Sequence, residues 1–238
     1  MLKGKTAVIT GANRGIGWAT VEAFAKNHAT IWACMRNRNE EVENALISLS
    51  STYYVDIMTL YFDITDEKAV KEAIREIGKK SGSIDVLVNN AGISVEKLFS
   101  MTSMDVMRNV IETNFLSQIH LSQLVSRYMV KQKHGSIINV ASVAGMEREH
   151  GGVAYGSSKA AIIFSTKSLA LELGPSGVRV NSVSPGFIKT DMWKDRNEEL
   201  REKIMSETPL RRQGEPSEVA NAIVFLASDL SSYITLID

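Results

Sequence analysis

Tyr155 and Lys159 stand four residues apart in a stretch of helical period, and of all pairs in the chain they are best suited to moving a proton. On a helix that spacing puts both side chains on one face, about 6 Å apart along the axis. A free phenol, with a pKa of about 10, is a poor acid–base group at neutral pH, but a nearby ammonium favours the phenolate and lowers that value. The pair therefore offers a general acid or base for an oxygen that gains or loses a proton. A tyrosine at a helix start and a lysine on its wet face also suit an ordinary helix, so the pair needs partners. Ser142, at the end of a strand pattern, and Asn114, in an earlier helical stretch, are polar residues that pattern alone does not single out. Alone, each reads as well as a small strand-end residue or as a helix kink or cap.

A second constellation opens the chain. Its first strand pattern runs into Thr10-Gly11-Ala12-Asn13-Arg14-Gly15-Ile16-Gly17, followed by a helix pattern. Gly11 permits a sharp turn, Gly15 lets a phosphate approach the backbone, and Gly17 lets the helix pack close to the sheet with its positive end facing an anion. Strand before and helix after make this a dinucleotide site rather than an ordinary tight turn.

The elements that must position these groups alternate along the chain. Strands are expected at Thr6–Thr10, Ala29–Met35, Met58–Phe62, Ile84–Val88, Ser136–Val140, Arg179–Ser184 and near Tyr233–Ile237. Helices are expected at Ile16–Lys26, Glu40–Leu49, Glu67–Lys79, Met104–Val130, Val153–Leu173 and Ser217–Ala227. Val70, Ala73, Ile74 and Ile77 share one helical face, while Lys71, Glu72 and Arg75 point away. The expectation is a single α/β domain, a doubly wound parallel sheet of about seven strands covered by helices on both faces. Residues 187–213 carry much charge and no clean period, and are expected to form a mobile substrate lid with a short helix. In such sheets ligands sit at the carboxyl ends of the strands, which is where Ser142 and the glycine turn fall.

Composition removes other classes. The chain has 238 residues, 44% of them hydrophobic, enough for a sizeable core. Lys+Arg and Asp+Glu both number 27, so no global basic field exists to hold nucleic acid or anionic lipid. The lone Cys34 makes no internal disulfide and reads as an inert core thiol. The histidines show no metal-ligand spacing, and no metal site is expected. The N-terminal residues enter a strand at once, leaving no room for a signal peptide, and no apolar run approaches the roughly 20 residues of a membrane span. The expectation is a cytoplasmic protein.

The glycines of the first turn stand four and then two apart, Asn89-Asn90-Ala91-Gly92 follows the fourth strand, and Tyr155-Gly156-Ser157-Ser158-Lys159 opens a helix. With Asn114, Ser142, Pro185-Gly186 and Thr190 in order, the chain resembles the short-chain dehydrogenase/reductase family from Thr10 to Thr190, and in its glycine loop, Asn89–Gly92 and Pro185–Met192 segments most resembles 3-oxoacyl-[acyl-carrier-protein] reductases. The resemblance implies a catalytic set of Asn114, Ser142, Tyr155 and Lys159. It implies cofactor contacts at Gly11, Asn13, Arg14, Gly15, Ile16 and Gly17; at Asp63 and Ile64 beside the adenine; and at Asn89, Ala91 and Gly92 on the ribose side. Further contacts are implied at Pro185, Gly186, Ile188 and Thr190 near the nicotinamide, and Tyr155 and Lys159 serve both roles. After the second strand the chain has Arg36 where an NAD site commonly places a carboxylate, so NADP(H) is expected, with Arg14 and Arg36 on its 2′-phosphate.

The family also implies a homodimer or homotetramer built on the long helices, with Leu116, Leu124, Ala160 and Ile163 in core or interface. A basic stretch, Arg127 to His134, is a candidate dock for an acidic acyl carrier protein. Two features depart from the carrier-dependent branch: Pro175 and Ser176 stand where a second docking cation is expected, and Ser94-Val95-Glu96 replaces Thr-Arg-Asp. The usual glycines near the last strand are missing as well. A dehydrogenase of a sugar, small alcohol or polycyclic alcohol is the rival within the class. A catalytically idle sensor or scaffold is the rival outside it, and the intact Tyr155 and Lys159 argue against that.

Overall fold

The computed structural model describes residues 1–147, 150–191 and 198–237. Six parallel strands form one sheet: β1 Thr6–Thr10, β2 Thr30–Met35, β3 Ile57–Tyr61, β4 Val86–Asn89, β5 Gly135–Val140 and β6 Val178–Val183, in the order β3-β2-β1-β4-β5-β6. Eight α-helices are described: α1 Gly15–Lys26, α2 Glu40–Tyr53, α3 Glu67–Ser81, α4 Met104–Ile111, α5 Ser117–Gln132, α6 Val153–Leu173, α7 Glu198–Glu207 and α8 Pro216–Ala227. Strand residues alternate between two cores, as a sheet buried on both faces requires. Ala7 and Ile9 join Val21, Phe24 and Ile223 on the α1/α8 side, whereas Val8 joins Val70, Ile74 and Leu121 on the α3/α5 side. β1 connects outward to β2 and β4 to β5, so the loops after β1 and β4 diverge and leave a crevice between them.

Helix ends follow local chemistry. Asp66 caps α3 by accepting from the amides of Lys68 and Ala69, and Asn39 caps α2 by accepting from Val42. α2 runs past the expected Leu49 and stops where Tyr54 adopts a left-handed φ of 52°.

Two expectations need correction. The stretch expected as one helix from Met104 to Val130 is interrupted by a π-helical segment, Glu112–Leu116, centred on Asn114. There Asn114 turns inward to the loop after β4, and a π turn accommodates the widened backbone. The seventh strand does not form. The segment near Tyr233–Ile237 lies beside β6, and Leu236 and Ser182 donate main-chain bonds to Val180 and Ile237. Side chains take over the rest of the ladder, because Val180 N–H donates to Thr235 Oγ1 and Ile237 N–H to Asn181 Oδ1. Leu236, at a φ of 73°, leaves extended geometry altogether. Among the described residues no helix is long and apolar enough to cross a membrane.

Candidate active site

The crevice holds a cavity of about 970 Å³. Its first wall is the glycine turn after β1. Gly11 and Gly15 have φ values of 65° and 55°, which a side chain would strain. A Cβ on Gly17 would collide with the Gly11 carbonyl oxygen, so α1 can start this close to β1 only with glycine there.

The facing wall is the loop after β4, which hangs from β1. Thr10 Oγ1 accepts from the amides of Asn90 and Ala91 at 3.0 Å each, and Asn90 Nδ2 donates to the Thr10 and Gly11 carbonyls at 2.9 and 3.2 Å. From the other side, Asn114 Oδ1 accepts from Ile93 N–H at 2.8 Å, and its Nδ2 donates to Ile93 O and Ser158 Oγ. A Cβ built on Gly92 would lie 3.1 Å from Asn114 Oδ1 and 3.8 Å from Lys159 Nζ, so this wall closes directly on the lysine.

Lys159 is only 4% exposed, and its Nζ donates to the Val140 carbonyl at 2.7 Å. Burial disfavours its charged form and brings the ammonium down to about 8. Nζ lies 5.7 Å from the Tyr155 ring centroid, so the expected pairing on one face of α6 is present. Ser142 begins the short 3₁₀ turn Val143–Gly145, its Oγ accepting from Ala144 N–H. That turn lies flat on α6. A Cβ on Gly145 would come within 2.7 Å of the Lys159 backbone, and one on Gly156 within 2.7 Å of Ala144 O. Two glycines thus bring Ser142 to the helix that carries Tyr155.

At the opposite end Arg14 and Arg36 line the cavity. Arg14 is 71% exposed in its side chain and has Asp191 as a distant ionic neighbour at 3.9 Å. Asp63 accepts from the amide and hydroxyl of Thr65, and these bonds hold its carboxyl below the usual range, with Arg36 adding a smaller pull.

Of the site residues expected from sequence, all but Gly17, Asn89 and Asn114 line the cavity. Gly17 and Asn114 act from behind the wall. Asn89 is fully buried, donating to Ser122 Oγ and Asn139 Oδ1 inside the sheet, and it is Asn90 that faces the cavity. Strand alternation at the end of β4 was the signal that separates the two asparagines. Sequence reasoning also passed over the Thr10 hydroxyl and Gln118, whose Nε2 donates to Ala91 O at 2.6 Å. Within residues 187–213 the expected short helix is α7, and Phe187, Ile188, Thr190, Asp191 and Ile204 reach the cavity. Gly214 pins the base of the segment through bonds to Phe187 O and Lys189 N–H. Met192 and Trp193 lie outside the described residues.

Cys34 is buried, and burial pushes its thiol up to about 12. Among the described residues no group of three or more His, Cys, Asp or Glu is placed to hold a metal. Lys131 and Lys133, at the end of α5, are exposed beside the start of β5, so the basic stretch sits at the amino ends of the strands, whereas the cavity lies at their carboxyl ends. The turn bearing Pro175 and Ser176 packs there too, since a Cβ on Gly177 would strike the Lys133 carbonyl.

The glycine cradle, the two arginines and the long crevice at the β1/β4 divergence fit a phosphate-bearing dinucleotide. Comparison with known proteins agrees with this geometry. Residues 11–236 match the family described as Enoyl-(Acyl carrier protein) reductase. The chain is 41% identical over 234 residues to the 3-oxoacyl-[acyl-carrier-protein] reductase FabG of Thermotoga maritima, covering 98% of this chain and 94% of that one. It is 37% identical over 236 residues to the 3alpha-hydroxysteroid dehydrogenase of Mediterraneibacter gnavus, covering 99% and 94%. The crystal structure of an NAD+-bound xylitol dehydrogenase superposes with a TM-score of 0.92 at 30% identity, covering 99% and 96%.

Proposed function

The chain belongs to the short-chain dehydrogenase/reductase family, oxidoreductases of CH–OH and C=O groups, and on that premise we propose that it is an NADPH-dependent carbonyl reductase acting on a 3-oxoacyl thioester. The observation that carries this reading is one cavity with Ser142, Tyr155 and Lys159 at one end and Arg14 and Arg36 at the other.

The dinucleotide, when bound, supplies the hydride. The turn from Gly11 to Gly17 would hold its phosphates, Arg14 and Arg36 its 2′-phosphate, Asp63 and Ile64 its adenine side, and Lys159 its nicotinamide ribose. Tyr155 gives its phenolic proton to the carbonyl oxygen as the carbon is reduced, and Ser142 Oγ donates to the same oxygen. Lys159 stabilises the phenolate left behind. Its own pKa of about 8 lets it exchange protons near neutral pH, and Asn114, on the family's pattern, would hold a water between it and solvent. The family description speaks of an enoyl group, whose reduction adds hydrogen across C=C. A phenol and a hydroxyl together suit an oxygen that gains a proton, which favours the C=O named by the FabG relatives.

Glu96 in the altered Ser94–Glu96 segment lines the cavity, and the hydroxysteroid dehydrogenase is a close relative, so the second reading is oxidation of a polycyclic, sugar or small alcohol. Residues 187–213 serve as the substrate lid. Lys131 and Lys133 lie at the amino ends of the strands, opposite the cavity, so a carrier held there would serve the cavity of a neighbouring copy in an assembly. The exposed Leu116, Phe164 and Leu171 on the π turn and α6 suit such an assembly as a homodimer or homotetramer. Leu124 and Ile163 are in the core instead.

The test is NADPH absorbance with a panel of keto substrates, free and carrier-linked, and of alcohols with NADP+. Reduction of 3-oxoacyl thioesters above all others is expected, and turnover of alcohols alone would replace the first reading with the second. A Lys131→Glu/Lys133→Glu variant should raise KM for the carrier-linked substrate and leave a small free thioester unaffected. If both respond alike, the carrier contact is wrong.

A further inference from the structure

Three polar residues stand four apart on the inner face of α5 and the π turn before it: Asn114, Gln118 and Ser122, all buried. A spacing of four keeps them on one face. Asn114 grips Ile93, and Ser122 Oγ accepts from Asn89 Nδ2 inside the sheet. Gln118 lies between them and holds the Ala91 carbonyl at 2.6 Å. That oxygen belongs to the peptide joining Ala91 to Gly92, both of which line the cavity. The amide of Ala91 is tied to Thr10 Oγ1 on the opposite side, so Thr10 and Gln118 between them set the tilt of the segment. Rotating that peptide moves Gly92, the residue that closes on Asn114 Oδ1 and Lys159 Nζ.

Gln118 Oε1 has no hydrogen-bond partner among the described residues. A buried carbonyl oxygen without a donor is unfavourable, a cost that the single bond to Ala91 has to offset. What the glutamine adds is the donor for Ala91.

We propose that Gln118 is a positioning residue for cofactor binding: by fixing the Ala91 carbonyl it sets the Ala91–Gly92 wall against which the nicotinamide ribose lies beside Lys159. This rests on reading the cavity as a dinucleotide site. Gln118 touches neither cofactor nor substrate, and its effect passes through Ala91.

Fluorescence titration with NADPH and with NADH, alongside steady-state kinetics and thermal melts, tests the role on the full chain. Gln118→Met keeps length and removes the donor. Its dissociation constant for the preferred cofactor should rise about 10-fold, while kcat at saturating cofactor stays within about 2-fold and the melting temperature changes little, because relief of the unpartnered Oε1 offsets the donor lost from Ala91. Gln118→Glu supplies a pH readout that a purely structural residue would not give. A neutral carboxyl donates to Ala91 O, whereas a carboxylate repels it, so affinity should match the parent at about pH 5 and fall as pH rises through the burial-raised pKa of the new acid. Equal dissociation constants for parent and Gln118→Met overturn the proposal and leave the dinucleotide reading standing. If Gln118→Met does not fold, a Gln118→Glu affinity that follows the parent at every pH overturns it. A parent that binds neither cofactor overturns the dinucleotide reading and this role with it.

Discussion

At the Tyr155 end of the cavity the polar groups around the reaction are fastened by the protein itself, whereas at the Arg14 end the cations stand in solvent. Lys159 is 4% exposed and bonded to a strand carbonyl, and Asn114 is bonded to Ile93 and Ser158. The Arg14 side chain is 71% exposed, with its ionic neighbour 3.9 Å away. Proton transfer needs a donor held to within fractions of an ångström, so that end is built into the core. A phosphate is met well enough by charge that reaches it, so surface arginines on loops suffice. Removing the proton donor at one end should therefore lower rate, and removing the arginines at the other should lower affinity.

The largest effect belongs to the fastened end. Tyr155→Phe deletes the proton donor and leaves the walls intact, so kcat should fall about 10²–10⁴-fold with cofactor affinity nearly unchanged. Single-turnover oxidation of NADPH measures this, and a variant that keeps more than about a tenth of the parent rate in the chemical step removes Tyr155 from the role. Lys159→Ala should damage both quantities if, as proposed, it serves phenol and ribose together.

Next comes the solvent end. Arg36→Asp replaces a cation with a carboxylate and should abolish the preference for NADPH over NADH, a change of roughly 10–100-fold in relative affinity. Because exposed charges are screened beyond about 8–10 Å at cellular salt, NADPH affinity of the parent should also weaken as salt is raised. A parent that binds both cofactors equally breaks the comparison at this end.

Gly92→Ala tests how tightly the fastened end is closed. The added methyl would sit 3.1 Å from Asn114 Oδ1, and kcat/KM should drop by roughly 10-fold without a comparable fall in melting temperature. Unchanged kinetics would show that the Asn114–Lys159 corner yields.

The last effect is on stability rather than on catalysis or binding. Lys159 titrates at about 8 in the folded protein against 10.5 in its ordinary state, so between these values the unfolded chain binds the extra proton. Stability without cofactor should therefore rise as pH climbs through that window, by at most about 3 kcal/mol. Denaturant titrations of the parent and Lys159→Met across the window measure it, and identical slopes would place Lys159 in a wetter setting.

Much of the site was legible because its parts are local. The glycine turn, the Tyr155–Lys159 spacing and the amphipathic α3 each lie within one element, and residue type with period reveals them. The misread parts depend on what lies across the fold. Asn89 and Asn90 are adjacent and identical, yet one points into the sheet and the other to the cavity. The last segment has strand-like composition, but the side chains of Thr235 and Asn181 intrude on its pairing with β6. The π turn at Asn114 arises from bonds to Ile93 and Ser158, residues 21 and 44 positions away.

Read alone, the sequence already carried the alternation of strands and helices, a sheet covered on both faces, and most of the residues that line the cavity, because period and side-chain type act over a few residues. The tertiary structure alone decided how these parts face one another. Thr10 meets Asn90 80 positions later, Gln118 reaches back to Ala91, and Gly145 lets the Ser142 turn lie on the helix of Tyr155. Such contacts form only when distant segments pack, and side-chain direction and backbone clearance at that point are properties of the packed sheet rather than of any window of sequence.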